Sequence, residues 1–227
     1  RLDKGTYRVK FEVNNKNHEV RLDERGNFVK HLQDLYVSEI PKVVLETIRK
    51  KVPFFDVEDA DKITENGKTT FEINFEIDDK DHDFWISEKG KLLKYRKELK
   101  NSEIPTEIQN LIKIKYGNLD VDRTEYIEEN GTILYYLKGE INDKDHEFTF
   151  EGKTKILQHK QDLRDNEIPD LILSSVKKWY SGYEIRDADL REDSTASFYI
   201  IQLRKSKENL TVTFNQKGDL IDTLKRP

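Results

Sequence analysis

The chain of 227 residues has no cysteine. Disulfides, thiolate nucleophiles and cysteine-ligated zinc are thereby excluded, while the redox compartment is left open. No apolar run approaches the roughly 18 residues that a membrane helix needs, so no membrane span is expected. Serine is sparse, and neither a G-x-S-x-G turn nor a Gly-rich phosphate loop occurs. The basic stripe that nucleic acid requires is missing as well: 45 acidic and 40 basic residues are mixed along the chain, for a net charge of -5. Among so many carboxylates no pair stands out as general acid and base. No catalytic residue is assigned, and the chain reads as a non-enzyme. It opens Arg1-Leu2-Asp3-Lys4, without an initiator Met or an apolar signal segment, as a mature product whose export signal has been removed would.

What is present is charge and repetition. Charged residues make up 37% and hydrophobic residues 35%, which implies lean cores under a charged surface. Aromatics at 10% argue against disorder. Glu-Ile-Pro stands at Glu39-Ile40-Pro41, Glu103-Ile104-Pro105 and Glu167-Ile168-Pro169, with the same interval both times. Asn15-Lys16-Asn17-His18 falls in the same register as Asp79-Lys80-Asp81-His82 and Asp143-Lys144-Asp145-His146. A fixed period of this length marks a repeat protein. Residues 1–37 read as the back half of a unit without its helix, and full units follow at 38–101, 102–165 and 166–227. Paired, they give two domains, 1–101 and 102–227.

Each full unit opens with a helix. Its apolar stripe is Ile40, Val44, Leu45, Ile48 and Val52 in the first, and Ile104, Ile108, Leu111, Ile112 and Ile114 in the second. In the third it is Ile168, Ile172, Val176, Trp179 and Tyr180. Proline suits the first helical position, where its missing N–H goes unnoticed. In this reading Ile packs at the helix entrance and Glu faces solvent. A short extended segment follows, then Asn66-Gly67 or Asn130-Gly131, a pairing that favours the positive φ angles of a tight hairpin. Next comes an alternating strand: Phe71, Ile73, Phe75 and Ile77, with Tyr7, Val9, Phe11 and Val13 as counterparts in the half-unit. The later counterparts are Tyr135, Leu137, Gly139 and Ile141, then Tyr199, Ile201 and Leu203. Alternation of period two predicts one buried and one wet face. Two more strands complete the unit. The fold class is therefore α+β: tandem 64-residue α-β-β-β-β units, antiparallel, with the helices packed on one face of a sheet that neighbouring units share.

Three groups of residues are candidates for function. Trp85 lies between inward Phe84 and Ile86 and is expected to face outward. Tyr136 is expected to do likewise, and Ile200 matches Tyr136 in the last unit. Aromatics on an open sheet face either anchor a partner or pack on a neighbouring unit; the sequence leaves both open. Asp78, Asp79, Asp81, Asp143 and Asp145 concentrate oxygen ligands of the kind calcium takes, but Asp is also an ordinary turn residue. His18, His82 and His146 occupy matched positions; half-buried structural histidines are the expectation, against a metal or acid–base role. No other cofactor is indicated.

The helix opening at Ile40-Pro41, the strand Phe71-Glu72-Ile73 and the segment Gly90-Lys91-Leu92-Leu93, with their partners one period on, resemble the PepSY-like family. The resemblance covers nearly the whole chain. The unit at 166–227 departs from it in lacking the Asn-Gly turn and the histidine. What it implies is a fold like that of β-lactamase inhibitor protein and a periplasmic or secreted location, as for exported proteins of Bacteroides-type bacteria. It also implies an inhibitor-like protein or peptide binder of the cell envelope rather than an enzyme. A calcium-responsive or structural envelope protein using the Asp-rich hairpin turns is the alternative.

Overall fold

The computed structural model describes residues 6–226. Residues 1–5, on which the opening Arg1-Leu2-Asp3-Lys4 falls, and Pro227 lie outside the described residues. The chain divides into two units. One takes the residues up to 99 together with 126–133, and the other takes 100–125 and everything from 134 onward. The first unit contains β1 (Tyr7–Val13), β2 (Lys16–Leu22), β3 (Phe28–Asp34), α1 (Lys42–Arg49), β4 (Asp59–Glu65), β5 (Lys68–Ile77), β6 (Lys80–Ser87) and β7 (Leu92–Glu98). Next come α2 (Thr106–Lys115) and the hairpin of β8 (Asp120–Glu129) and β9 (Thr132–Glu140), whose tip belongs to the first unit. The second unit continues with β10 (Asp145–Glu151), β11 (Lys155–Asp162), α3 (Asp170–Trp179), β12 (Glu184–Asp193), β13 (Ser197–Lys205), β14 (Glu208–Asn215) and β15 (Leu220–Arg226). From β1 to β7, and again from β9 to β15, every strand pairs antiparallel with its neighbour in sequence. Each unit is thus a meander, and the β3–β4 and β11–β12 pairings join consecutive repeats in one sheet.

The alternating strands supply the core. In the first unit Phe71, Ile73, Phe75, Phe84, Ile86 and Tyr95 meet Ile40, Val44 and Ile48 of α1 and its entrance. In the last repeat Ile201, Leu203, Leu210, Val212 and Phe214 meet Ile168, Ile172 and Val176. Burying a side chain of this size contributes about 1.5–3 kcal/mol, so these rows hold each helix on its sheet. The helical stripes are narrower than the sequence predicts, since Ile114 and Trp179 are exposed by 85% and 57%.

The helix entrance also differs. Each proline is the N-cap, one residue before the helix, and a 3₁₀ turn precedes it, at Val37–Glu39, Asn101–Glu103 and Asp165–Glu167. The glutamate of Glu-Ile-Pro closes that turn. Glu39, Glu103 and Glu167 accept the backbone N–H groups of Tyr36, Lys100 and Arg164, each at 2.8 Å. It caps the turn while remaining exposed to solvent, as expected.

Backbone geometry accounts for several residue choices. Asn66-Gly67 and Asn130-Gly131 adopt the positive φ expected of them, and so do Asn14-Asn15, Asp78-Asp79 and Asn142-Asp143. Gly139 occupies the position held by Phe75 and Leu203 in other repeats, because a Cβ there would sit 2.0 Å from the Asp120 carbonyl oxygen. A bulge recurs at the same place in every repeat, at Arg21/Leu22, Trp85/Ile86, Thr149/Phe150 and Thr213/Phe214.

The half-unit departs from expectation. Tyr7, Val9, Phe11 and Val13 alternate as the other strands do, yet they form no buried face. They are exposed by 45, 44, 43 and 46%, because among the described residues no helix lies over β1–β3.

Candidate partner-binding faces

The face opposite the helices is built from residues that alternate with the core. In the first unit a row in register crosses it: Asp34 on β3, Asp61 on β4, Glu72 on β5, Trp85 on β6 and Lys94 on β7. Trp85 is half-buried, not fully exposed as an open anchor would be. The Lys94 ammonium stands 5.0 Å from its ring centroid, and its indole N–H donates to Glu72. Beside it Asp83 accepts from Arg96 at 2.5 Å and also from the Asn74 amide.

Crowded, partly desolvated acids resist ionisation. Burial, reinforced by Asp59, Asp34 and Glu72, pushes the Asp61 carboxyl up to about 6. Burial also raises Glu72, against the stabilising hydrogen bond from Trp85. The second unit repeats the arrangement two periods on. Asp162 and Asp189 are cross-strand partners, and burial together with Asp189, Asp145 and Asp187 raises Asp162 to about 6. Lys160 lies 3.0 Å from Asp189.

Tyr136 is half-buried, and burial and the neighbouring Glu147 push its phenol up to about 12. Ile200, also half-buried, stands between Asp189 and Thr213. Tyr136 and Ile200 are four strand spacings apart on β9 and β13, about 19 Å at ordinary strand separation. They share a face without forming a single patch, and Trp85 belongs to the other unit.

The acidic turns have a backbone explanation. Asp78, Asp79 and Asp143 are exposed and occupy left-handed turn positions. Asp81 is exposed on the following strand, and Asp145 pairs with Lys138 at 3.6 Å. Among the described residues no group of three or more His, Asp or Glu is placed to hold a metal ion.

The matched histidines each meet the residue 13 positions on. His18 Nδ1 lies 2.9 Å from His31, His82 Nδ1 3.0 Å from the Tyr95 hydroxyl, and His146 Nδ1 3.0 Å from His159. His82 and His146 are buried and His18 is half-buried. Burial, with His159 and Lys144 adding to it, pushes His146 down to about 4. His159 also contacts Glu192 at 3.0 Å, beside an open cleft of about 400 Å³ lined by Lys115 and Thr195. The inner end of this Glu-His-His chain stacks on Phe148, a core residue, so the histidines knit strands together. Sequence reading missed these partners because strand register, not local spacing, brings them together.

The family model described as "Putative beta-lactamase-inhibitor-like, PepSY-like" matches residues 5–94 and 138–222, well over half of the chain. The chain belongs to this PepSY-like family. The first match takes in β1–β3, α1 and the strands after it up to the start of β7, and the second runs from the end of β9 through α3 into β15. Among solved structures, a DUF2874 family protein from Bacteroides uniformis is similar at 16% identity and TM-score 0.42, covering 53% of this chain and 88% of that one. A BLIP-like protein from Bacteroides fragilis is similar at 16% identity and TM-score 0.42, covering 53% and 85%. A structure from Bacteroides eggerthii described as of "putative periplasmic proteins" is similar at 14% identity and TM-score 0.42, covering 53% and 88%. Comparison with curated proteins finds no match. No described helix is long and apolar enough to cross a membrane.

Proposed function

We propose that this PepSY-like chain is a non-enzymatic, exported binding or inhibitor-like module of the cell envelope. It engages a protein or peptide partner through the helix-free sheet face, around Trp85 in the first unit and Tyr136 and Ile200 in the second. The observation that carries this reading is the half-buried Trp85 set in a row with Asp34, Asp61 and Glu72. A half-buried aromatic ring among acids, of which Asp61 and Glu72 are raised by burial, offers apolar area and a demand for positive charge on one surface. A partner bringing Lys or Arg would meet both. The inhibitor-like description of the family agrees with binding rather than catalysis.

The test is cross-linking capture from an envelope extract at low and at high salt, with fractionation of cells to place the protein. Capture that weakens with salt and is lost in the Trp85→Ala, Asp61→Asn double variant supports the reading. Equal capture by parent and variant, or a protein confined to the cytoplasmic fraction, overturns it.

A further inference from the structure

The helix side of β1–β3 is built like the helix-bearing parts of the sheet and is left open. Tyr7, Val9 and Phe11 are exposed by 45, 44 and 43%, whereas Phe71, Ile73 and Phe75, the same positions one period on, are exposed by 5, 0 and 2%. Exposed apolar rows of this kind mark interaction surfaces.

The chain itself shows what fits such a face. Three times it is closed by an amphipathic helix together with the isoleucine two residues before it, which bury branched aliphatic residues at i, i+4 and i+8: Ile40, Val44 and Ile48; Ile104, Ile108 and Ile112; Ile168, Ile172 and Val176. Each of these nine is at most 6% exposed. The helix also backs onto a glycine turn. Thr47 donates to the Gly90 carbonyl at 2.7 Å and Ser175 to the Gly218 carbonyl at 2.8 Å. A Cβ on Gly90 would come within 2.4 Å of Val43, and one on Gly218 within 2.7 Å of Ser175. At Gly26, in the same register, nothing lies within 4 Å. The open face also continues an interface already formed. Lys16, in the β1–β2 hairpin, pairs with Glu39 at the entrance to α1, and Leu35, at the end of β3, packs into the core under α1. An added helix would lie beside α1 in one layer.

We propose that the helix side of β1–β3 is a docking groove for an amphipathic helix of a partner polypeptide, one carrying branched aliphatic residues at i, i+4 and i+8. Apolar grooves take such helices by seating that row between side chains. This surface is on the side of the sheet away from Trp85, and the inference is independent of the function proposed above.

The probe is a synthetic peptide of residues 38–52 of this chain, titrated into the full chain. Saturable binding is expected, with slowed amide exchange confined to β1 and β2, and with affinity reduced about tenfold or more by Val9→Asp. Val9 is exposed, so the variant should keep the parent's circular dichroism and melting curve; Val13→Asp serves as a second variant if it does not. Absence of saturable binding at millimolar peptide, or unchanged binding in both variants, overturns the proposal. So does sedimentation showing that the chain self-associates through these residues, which would give the face to a second copy.

Discussion

Lys144 donates to Glu167 at 2.5 Å, and Lys16 is joined to Glu39 in the same way. The partners are 23 residues apart in both cases. In these two copies the hairpin motif and the helix-entrance motif are therefore two halves of a single contact. Lys16 is itself buried and stands over the Tyr36 ring at 4.8 Å.

Glu167→Ala should accordingly loosen the helix entrance. Lys144 and the Arg164 N–H hold the Glu167 carboxyl below the ordinary carboxylate range. Its contribution is thus present above that range and is lost as pH falls through its lowered folded value. Faster exchange of the Arg164 amide in the variant, at neutral pH, checks this; unchanged exchange contradicts it.

Two substitutions at one register position should give opposite results. Ile73→Ala removes a fully buried side chain and should cost about 2–5 kcal/mol. Val9→Ala, one period earlier and 44% exposed, should change stability by no more than about 0.5 kcal/mol. Urea denaturation of both variants distinguishes them.

That contrast also indicates what was legible in the sequence. The order of elements and the inward rows follow from local period and turn chemistry, and both are present in the structure. The openness of β1 is invisible locally, because Tyr7, Val9, Phe11 and Val13 alternate just as the buried strands do, and only the neighbouring layer decides burial. The helix-free face was legible in direction but not in environment. Trp85 points where alternation sends it, but Glu72 and Lys94 reach it through cross-strand register. The pairing of the exposed Glu39 with Lys16 was hidden for a similar reason: Lys16 comes from another hairpin.

Stability should respond to pH with two opposed slopes. The folded chain holds the Asp61 and Asp162 protons up to about 6, well above the ordinary aspartate value of 3.8, so these groups add stability as pH falls from about 6 towards that value. His146 works against them. Its folded value of about 4 lies below the ordinary 6.5, so stability is lost as pH falls through that interval. Replacing both Asp61 and Asp162 with Asn should stabilise the protein most above pH about 6, with the advantage shrinking at lower pH. Urea midpoints across the range test the sign.

Asp79→Gly should be neutral or mildly stabilising, by up to about 1 kcal/mol, because Asp79 sits at φ 59° in a two-residue turn where glycine is at ease. Calcium should leave the melting temperature of parent and variant unchanged. A rise with calcium in the parent alone would assign the turn to ion binding.

Strands that pair only with their sequence neighbours have a mechanical consequence. In either meander, tension on the chain ends acts on an outer strand and loads its hydrogen bonds one after another instead of all together. Such a sheet should peel strand by strand at low force, with each helix-covered repeat giving way as a separate step. A chain of this design yields in increments under load, and single-molecule pulling would resolve them.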